Sequence, residues 1–168
     1  MTENDYKLRQ AHIDWMLEHA DALTHAITLT LKPYCVIPTE RGEMRDTLTP
    51  IAASRNFHHF LRRLNKSVFG HAAQRYDKSV VVLPMLEGRR TDKLLHYHCA
   101  FGFPTFLQDA AIDAKVRCAW QQTQFGNEQI KIKRMATTGW LSYMGKDIRS
   151  TADELDISNV RLPSASLA

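Results

Sequence analysis

The chain has 168 residues, 44% hydrophobic and 24% charged, the balance of one ordinary globular domain rather than of a disordered or fibrous chain. Its longest apolar run, 80–86, is broken by Pro84 and falls far short of the roughly 20 residues of a membrane span, and the charged start MTENDYKLR has no apolar leader, so a cytoplasmic protein without membrane attachment is expected. Cys35, Cys99 and Cys118 form no CxxC pair and suggest neither a disulfide framework nor a four-cysteine zinc site. Net charge is +4, but the ends (1–21 and 150–168) hold eight of the 18 acidic residues and three of the 22 basic ones, so 22–149 keeps 19 basic against 10 acidic side chains, a charge of +9. No acidic residue occurs from Thr47 to Tyr76, a distribution that suits a phosphate-rich partner.

In chain order, Ile13, Met16, Leu17 and Ala20 at helical spacing predict a helix over 5–21, and THAITLTL at 24–31 alternates as a strand stopped by Pro33. Residues 34–48 show no period and read as a connecting loop. Phe57, Phe60, Leu61, Leu64 and Val68 form one stripe of a long helix that begins near Pro50 and stops at Gly70, with Arg62, Arg63 and Lys66 largely off the stripe. Runs 79–87 and 93–101 read as a hairpin around Gly88 to Asp92. Thr105 and Gln108 carry a capping-box signature for a helix to about Gln122. Residues 129–134 alternate as a basic strand, and Thr137 or Thr138 can cap a last helix over 140–146. The order, a helix followed by β-α-β-β-α-β and a final helix, predicts an α+β, ferredoxin-like (RRM-like) sandwich with a central antiparallel sheet flanked by helices. One domain spans 1–168, with its core at about 24–147, an N-terminal helical extension at 1–23 that has no assignable role, and a polar, loosely held tail at 150–168.

The strand LLHYHCAF carries the most informative pattern. Residues i and i+2 of a strand share a face, so His96 and His98 project side by side. With the hairpin turning near Thr91 and Asp92, Glu87 falls opposite His96 with Cβ atoms about 5 Å apart. Two imidazoles and a carboxylate would then converge on one divalent metal and leave coordination positions open, as a catalytic site requires. An open site facing phosphate suits Mn²⁺ or Mg²⁺, although the ligand set also accepts zinc. In GWLSYMGK, Tyr143 and Lys146 lie three apart and share a helix face. A free phenol, with its pKa of about 10, attacks well only where a metal or ammonium stabilises the charge that develops.

Taken together, Thr28-Leu-Thr-Leu31, then Glu87 with His96-Tyr97-His98, then Tyr143-Met-Gly-Lys146 resemble, in order and context, the three motifs of the HUH endonuclease superfamily. The pattern looks like the single-tyrosine replication-initiator (Rep) nuclease domain of rolling-circle plasmids, phages and small circular single-stranded DNA viruses, over some three quarters of the chain. The resemblance implies Glu87, His96 and His98 as metal ligands, Tyr143 as nucleophile and Lys146 as the residue that positions or neutralises the scissile phosphate. It further implies a site-specific single-stranded DNA endonuclease and strand transferase that forms a 5′-phosphotyrosine and frees a 3′-hydroxyl. Single-stranded DNA or an origin hairpin would be the partner; since no GxxxxGK[ST] loop is present, unwinding would fall to a separate helicase or the host replication machinery.

DNA contacts are expected from Arg62, Arg63 and Lys66, from Lys131, Lys133 and Arg134, and from Arg89 and Arg90 at the hairpin tip. Thr28 and Thr30 are read as supports of the sheet, and Trp140 as a core indole more than a base platform. Three rivals remain open at this level: a single-tyrosine transposase on the same fold, a non-catalytic nucleic-acid-binding module, and a hydrolase in which Tyr143 is dispensable.

Overall fold

The computed structural model describes residues 2–88, 94–148 and 154–163. Thr2 starts helix α1 (Glu3–Glu18) with a reciprocal cap: its hydroxyl accepts from the Asp5 amide while the Asp5 carboxylate accepts from the Thr2 amide. Strand β1 (His25–Leu31) follows, its alternation buried-to-half-buried along its length. Next come β2 (Tyr34–Thr39) and β3 (Gly42–Thr47), the long helix α2 (Pro50–Phe69), the short α3 (Ala72–Arg75), the hairpin β4 (Val81–Glu87) and β5 (His96–Gly102), helix α4 (Asp109–Gln121), β6 (Gly126–Arg134) and α5 (Gly139–Met144). Gly70 ends α2 at φ 59°, a conformation that only glycine adopts cheaply.

Strands β4, β5, β1 and β6 form one antiparallel sheet in that order. Counting only these four, the order is 2-3-1-4, the arrangement of the ferredoxin-like sandwich. No helix among the described residues is long and apolar enough to cross a membrane.

The two sheet faces have different fates, because period-2 alternation sends neighbouring residues to opposite sides. Ile27, Leu29 and Leu31 of β1, with Tyr97, Cys99 and Phe101 of β5, pack under Phe57, Phe60 and Leu64 of α2 and Val116 and Trp120 of α4. On the other face, Leu83, Met85 and Ala100 meet Ile13 and Met16 of α1 and Leu141 and Met144 of α5. These two helices cover only the β4–β5 side of that face. The rest of it, from His96 and Thr28 to Lys131 and Lys133, is half-buried to exposed.

Three local expectations are corrected. The expected loop at 34–48 is a two-stranded ribbon, Tyr34 opposite Thr47 and Ile37 opposite Met44. Its residues are exposed or half-buried on both sides, so no hydrophobic alternation marked it in the sequence. Helix α4 starts at Asp109, not Thr105: Gln108 is its N-cap without a side-chain bond, and residues 104–107 form a turn closed by the Leu107 amide on the Pro104 carbonyl. The tail is held, not loose, over 154–163. It adds main-chain bonds to the outer edge of β4, between Val82 and Arg161 at 2.8 and 3.0 Å and from the Leu86 amide to the Glu154 carbonyl. An uncovered edge strand is a pairing liability, and this segment closes it. Asp156, buried, locks the tail by accepting from Tyr97 Oη at 2.8 Å, Ser54 Oγ at 2.9 Å, Ser158 Oγ at 2.7 Å and Asn159 Nδ2 at 2.8 Å.

Candidate metal centre and tyrosine helix

The site sits on the half-open face, at the end of the sheet where β4 stops and β5 begins. Glu87 pairs directly with His96, the register the hairpin spacing required, and His98 lies opposite Thr28 of β1. Gly88 follows Glu87 at φ 100°, and a Cβ there would meet the Leu94 carbonyl oxygen at 2.8 Å, so the chain leaves the strand through a position reserved for glycine.

Glu87 Oε2 lies 3.6 Å from His96 Nε2 and 3.5 Å from His98 Nε2, and the three ligand atoms all fall within 4.8 Å of one another. Donors about 2.1 Å from a shared tetrahedral ion stand about 3.4 Å apart, whereas an N–H···O hydrogen bond spans about 3.0 Å. The two Glu87 separations are close to that ligand spacing, and this group could hold a metal ion.

The imidazoles are oriented from behind. His96 Nδ1 lies 2.9 Å from the Leu94 carbonyl, which can only accept, so Nδ1 carries the hydrogen and neutral His96 presents its Nε2 lone pair to the centre. His98 Nδ1 lies 3.0 Å from Thr28 Oγ1, so Thr28 holds the ring of His98 from the neighbouring strand. Glu87 Oε1 is buried with no hydrogen-bond partner among the described residues. Burial pushes the Glu87 carboxyl up, but contact with His96 and the charges of His98 and Lys146 outweigh it and hold the group below the usual carboxylate range. It stays anionic at neutral pH, ready to ligate.

Helix α5 brings the tyrosine to the same place. Leu141 and Met144 bury against Ile13 and Met16 of α1, and Gly145 lies so close that an added Cβ would meet Ile13 Cγ1 at 2.5 Å. The N-terminal helix is thus the platform of the tyrosine helix, a role the sequence did not disclose. Tyr143 remains 43% exposed, its ring stacked on Trp140 at 5.2 Å and edge-on to His98 at 5.5 Å. Trp140 is itself fixed by an indole N–H bond of 2.9 Å to the Cys99 carbonyl on the ligand strand. The Lys146 ammonium sits 3.6 Å above the Tyr143 ring, and its charge reaches Glu87.

The structure does not gather all the expected DNA-contact residues. Lys131 and Lys133 are opposite Thr28 and Ala26, on the site face. Arg134, one residue on, points to the opposite face and forks onto Asp109 at 2.8 and 3.1 Å. Arg62, Arg63 and Lys66 lie on α2, across the sheet from the metal ligands. Arg89 and Arg90 lie outside the described residues. The Leu94 and Cys99 carbonyls carry no side-chain signal and were not readable from sequence.

No known protein family, curated protein or solved structure matches this chain.

Proposed function

We propose that this chain is a metal-dependent, single-stranded DNA endonuclease and strand transferase of the HUH type, acting as a rolling-circle replication initiator with Tyr143 as nucleophile. What carries this reading is the convergence on one half-open sheet face of Glu87, His96 and His98 with an exposed tyrosine and an ammonium.

A divalent ion held by Glu87, His96 and His98, Mn²⁺ or Mg²⁺, would supply Lewis-acid polarisation of a phosphodiester oxygen. The protein residues do the rest. Lys131 and Lys133, exposed beside the ligands, hold backbone phosphates and draw the strand along the open face. Trp140 fixes the plane of the Tyr143 ring, and Lys146 places a positive charge above that ring, where it can offset charge that develops on the attacked phosphate. The Tyr143 oxygen bonds to phosphorus as the bond from phosphorus to the 3′-oxygen breaks, the phenolic proton passes through solvent to the departing 3′-oxygen, and the 5′-phosphate stays on the protein. The phosphotyrosine preserves the bond energy needed for rejoining to a 3′-hydroxyl, which hydrolysis would dissipate.

Incubation of the chain with single-stranded DNA that includes candidate origins, in Mn²⁺, should give a denaturation-resistant adduct that mass spectrometry maps to Tyr143. Tyr143→Phe should lose the adduct and keep Mn²⁺ and DNA binding, because only one oxygen is removed. Full cleavage by that variant refutes the covalent route and favours metal-assisted hydrolysis.

A further inference from the structure

Several basic residues that the nuclease reading leaves unused line one groove on the far side of the molecule. Helices α2 and α3, residues 76–81 and the C-terminal residues 161–163 border a space of about 1090 Å³. Arg62, Arg63, Lys66, Lys78 and Arg161 line it, and among the described residues Asp77 is the one acidic residue of its walls.

Among the described residues none of these cations is paired with a carboxylate: Arg63 donates to Gln122 Oε1 at 2.6 Å and to His59 Nε2 at 3.2 Å, and Arg161 donates to the Ser158 and Val160 carbonyls. Elsewhere on the surface, Lys7, Arg117 and Arg134 each hold a carboxylate at 2.7 or 2.8 Å. The local potential is felt by His59 on the groove wall, which burial and then the charges of Arg63 and Arg62 hold below the ordinary imidazole value. Tyr76, at the rim, is 65% exposed and offers a ring face on which a base can stack.

We propose that this groove is a second single-stranded DNA site, gripping phosphates of the strand away from the metal centre. It rests on the nuclease reading for the choice of DNA and on the groove for the grip. The groove includes Val81 at one end of β4, and Glu87 closes the other end of the same strand, six residues and about 20 Å away. It therefore anchors flanking nucleotides and cannot position the scissile phosphate.

The test is fluorescence anisotropy of the full chain with a labelled oligothymidylate of about 30 nucleotides, long enough for two sites, titrated with salt. Arg62, Lys66 and Lys78 are exposed, and their joint replacement by alanine leaves the core intact. Three lost phosphate contacts should make the slope of log affinity against log salt shallower by about 2, so that between about 50 and 200 mM salt the unmodified chain loses roughly 18-fold more affinity than the variant. An unchanged slope and affinity overturns the proposal, as does a loss seen with oligouridylate and absent with oligothymidylate. Should the triple variant melt early, nuclear magnetic resonance of His59 in the unmodified chain decides. Oligonucleotide phosphates in the groove should raise its pKa, and no movement overturns the site. The two readings fail separately: absence of a Tyr143 adduct with the salt slope still reduced counts against cleavage alone, and an adduct with an unchanged slope counts against the groove alone.

Discussion

Glu87→Gln removes one negative charge and changes almost no volume, so it isolates what the carboxylate contributes to the metal centre. In the metal-free chain the loss should be small. Glu87 is only 9% exposed and one of its oxygens has no partner among the described residues, so removing the charge relieves a desolvation cost that offsets the lost attraction of the imidazoles. We expect less than about 1 kcal/mol of apo destabilisation. With Mn²⁺ the outcome differs. Outer partners of metal ligands are worth about 10–100-fold in affinity, and loss of a direct ligand should cost at least the upper figure. At 100 times the wild-type dissociation constant, metal stabilises the native chain by about 2.7 kcal/mol; the same concentration gives the variant about 0.4 kcal/mol. For a chain of this size, that is a rise in Tm of about 5–11 °C for the wild type against about 1 °C for the variant. Thermal melts with and without Mn²⁺, backed by titration calorimetry, measure both arms. An equal Mn²⁺-induced shift in the two proteins would refute Glu87 as a ligand and the co-ligand reading of the 3.5 and 3.6 Å separations.

Three further outcomes follow from other contacts. Thr28→Val removes the hydroxyl 3.0 Å from His98 Nδ1 and should weaken Mn²⁺ binding by about 10-fold while Thr28→Ser retains it; calorimetry that finds all three proteins alike excludes the support role. Tyr97→Phe deletes the buried 2.8 Å bond to Asp156 and should cost about 1.5–3 kcal/mol in denaturant melts, with a loss below about 0.5 kcal/mol showing that the tail is held without it. His25 is buried and, through desolvation, held below its ordinary 6.5, with Asp109 opposing and Arg134 reinforcing the shift. Its folded pKa is the lower one, so its contribution is fully present above about 6.5 and is lost as pH falls below it, when the unfolded chain takes the proton first. The Tm gap between wild type and His25→Asn should shrink between about pH 7.5 and 5.5, and a constant gap would contradict that assignment.

Much of this was legible residue by residue. Alternation in 24–31 marked β1 because one of its faces is buried, and the stripe from Phe57 to Val68 marked α2 for the same reason. The separation of Glu87 from His96 in the hairpin placed them in one cross-strand pair, since antiparallel pairing leaves little freedom once both strand ends are known. The 34–47 ribbon was invisible because neither of its faces is buried enough to impose a pattern. The N-terminal helix looked like an appendage, and its seat under Gly145 depends on a contact 132 positions apart in sequence.

By itself, then, the sequence determined local periods, the β-α-β-β-α-β order and the hairpin trio, all of which follow from spacing along one or two neighbouring elements. Only the tertiary structure decided which face of the sheet stays open, that Lys131 lies on the same face as His98 and Arg134 does not, and that Tyr143 and Lys146 reach His98 and Glu87. Those facts arise from where helices pack across the sheet, and packing is set by the burial of many distant apolar side chains at once, which no short window of sequence contains.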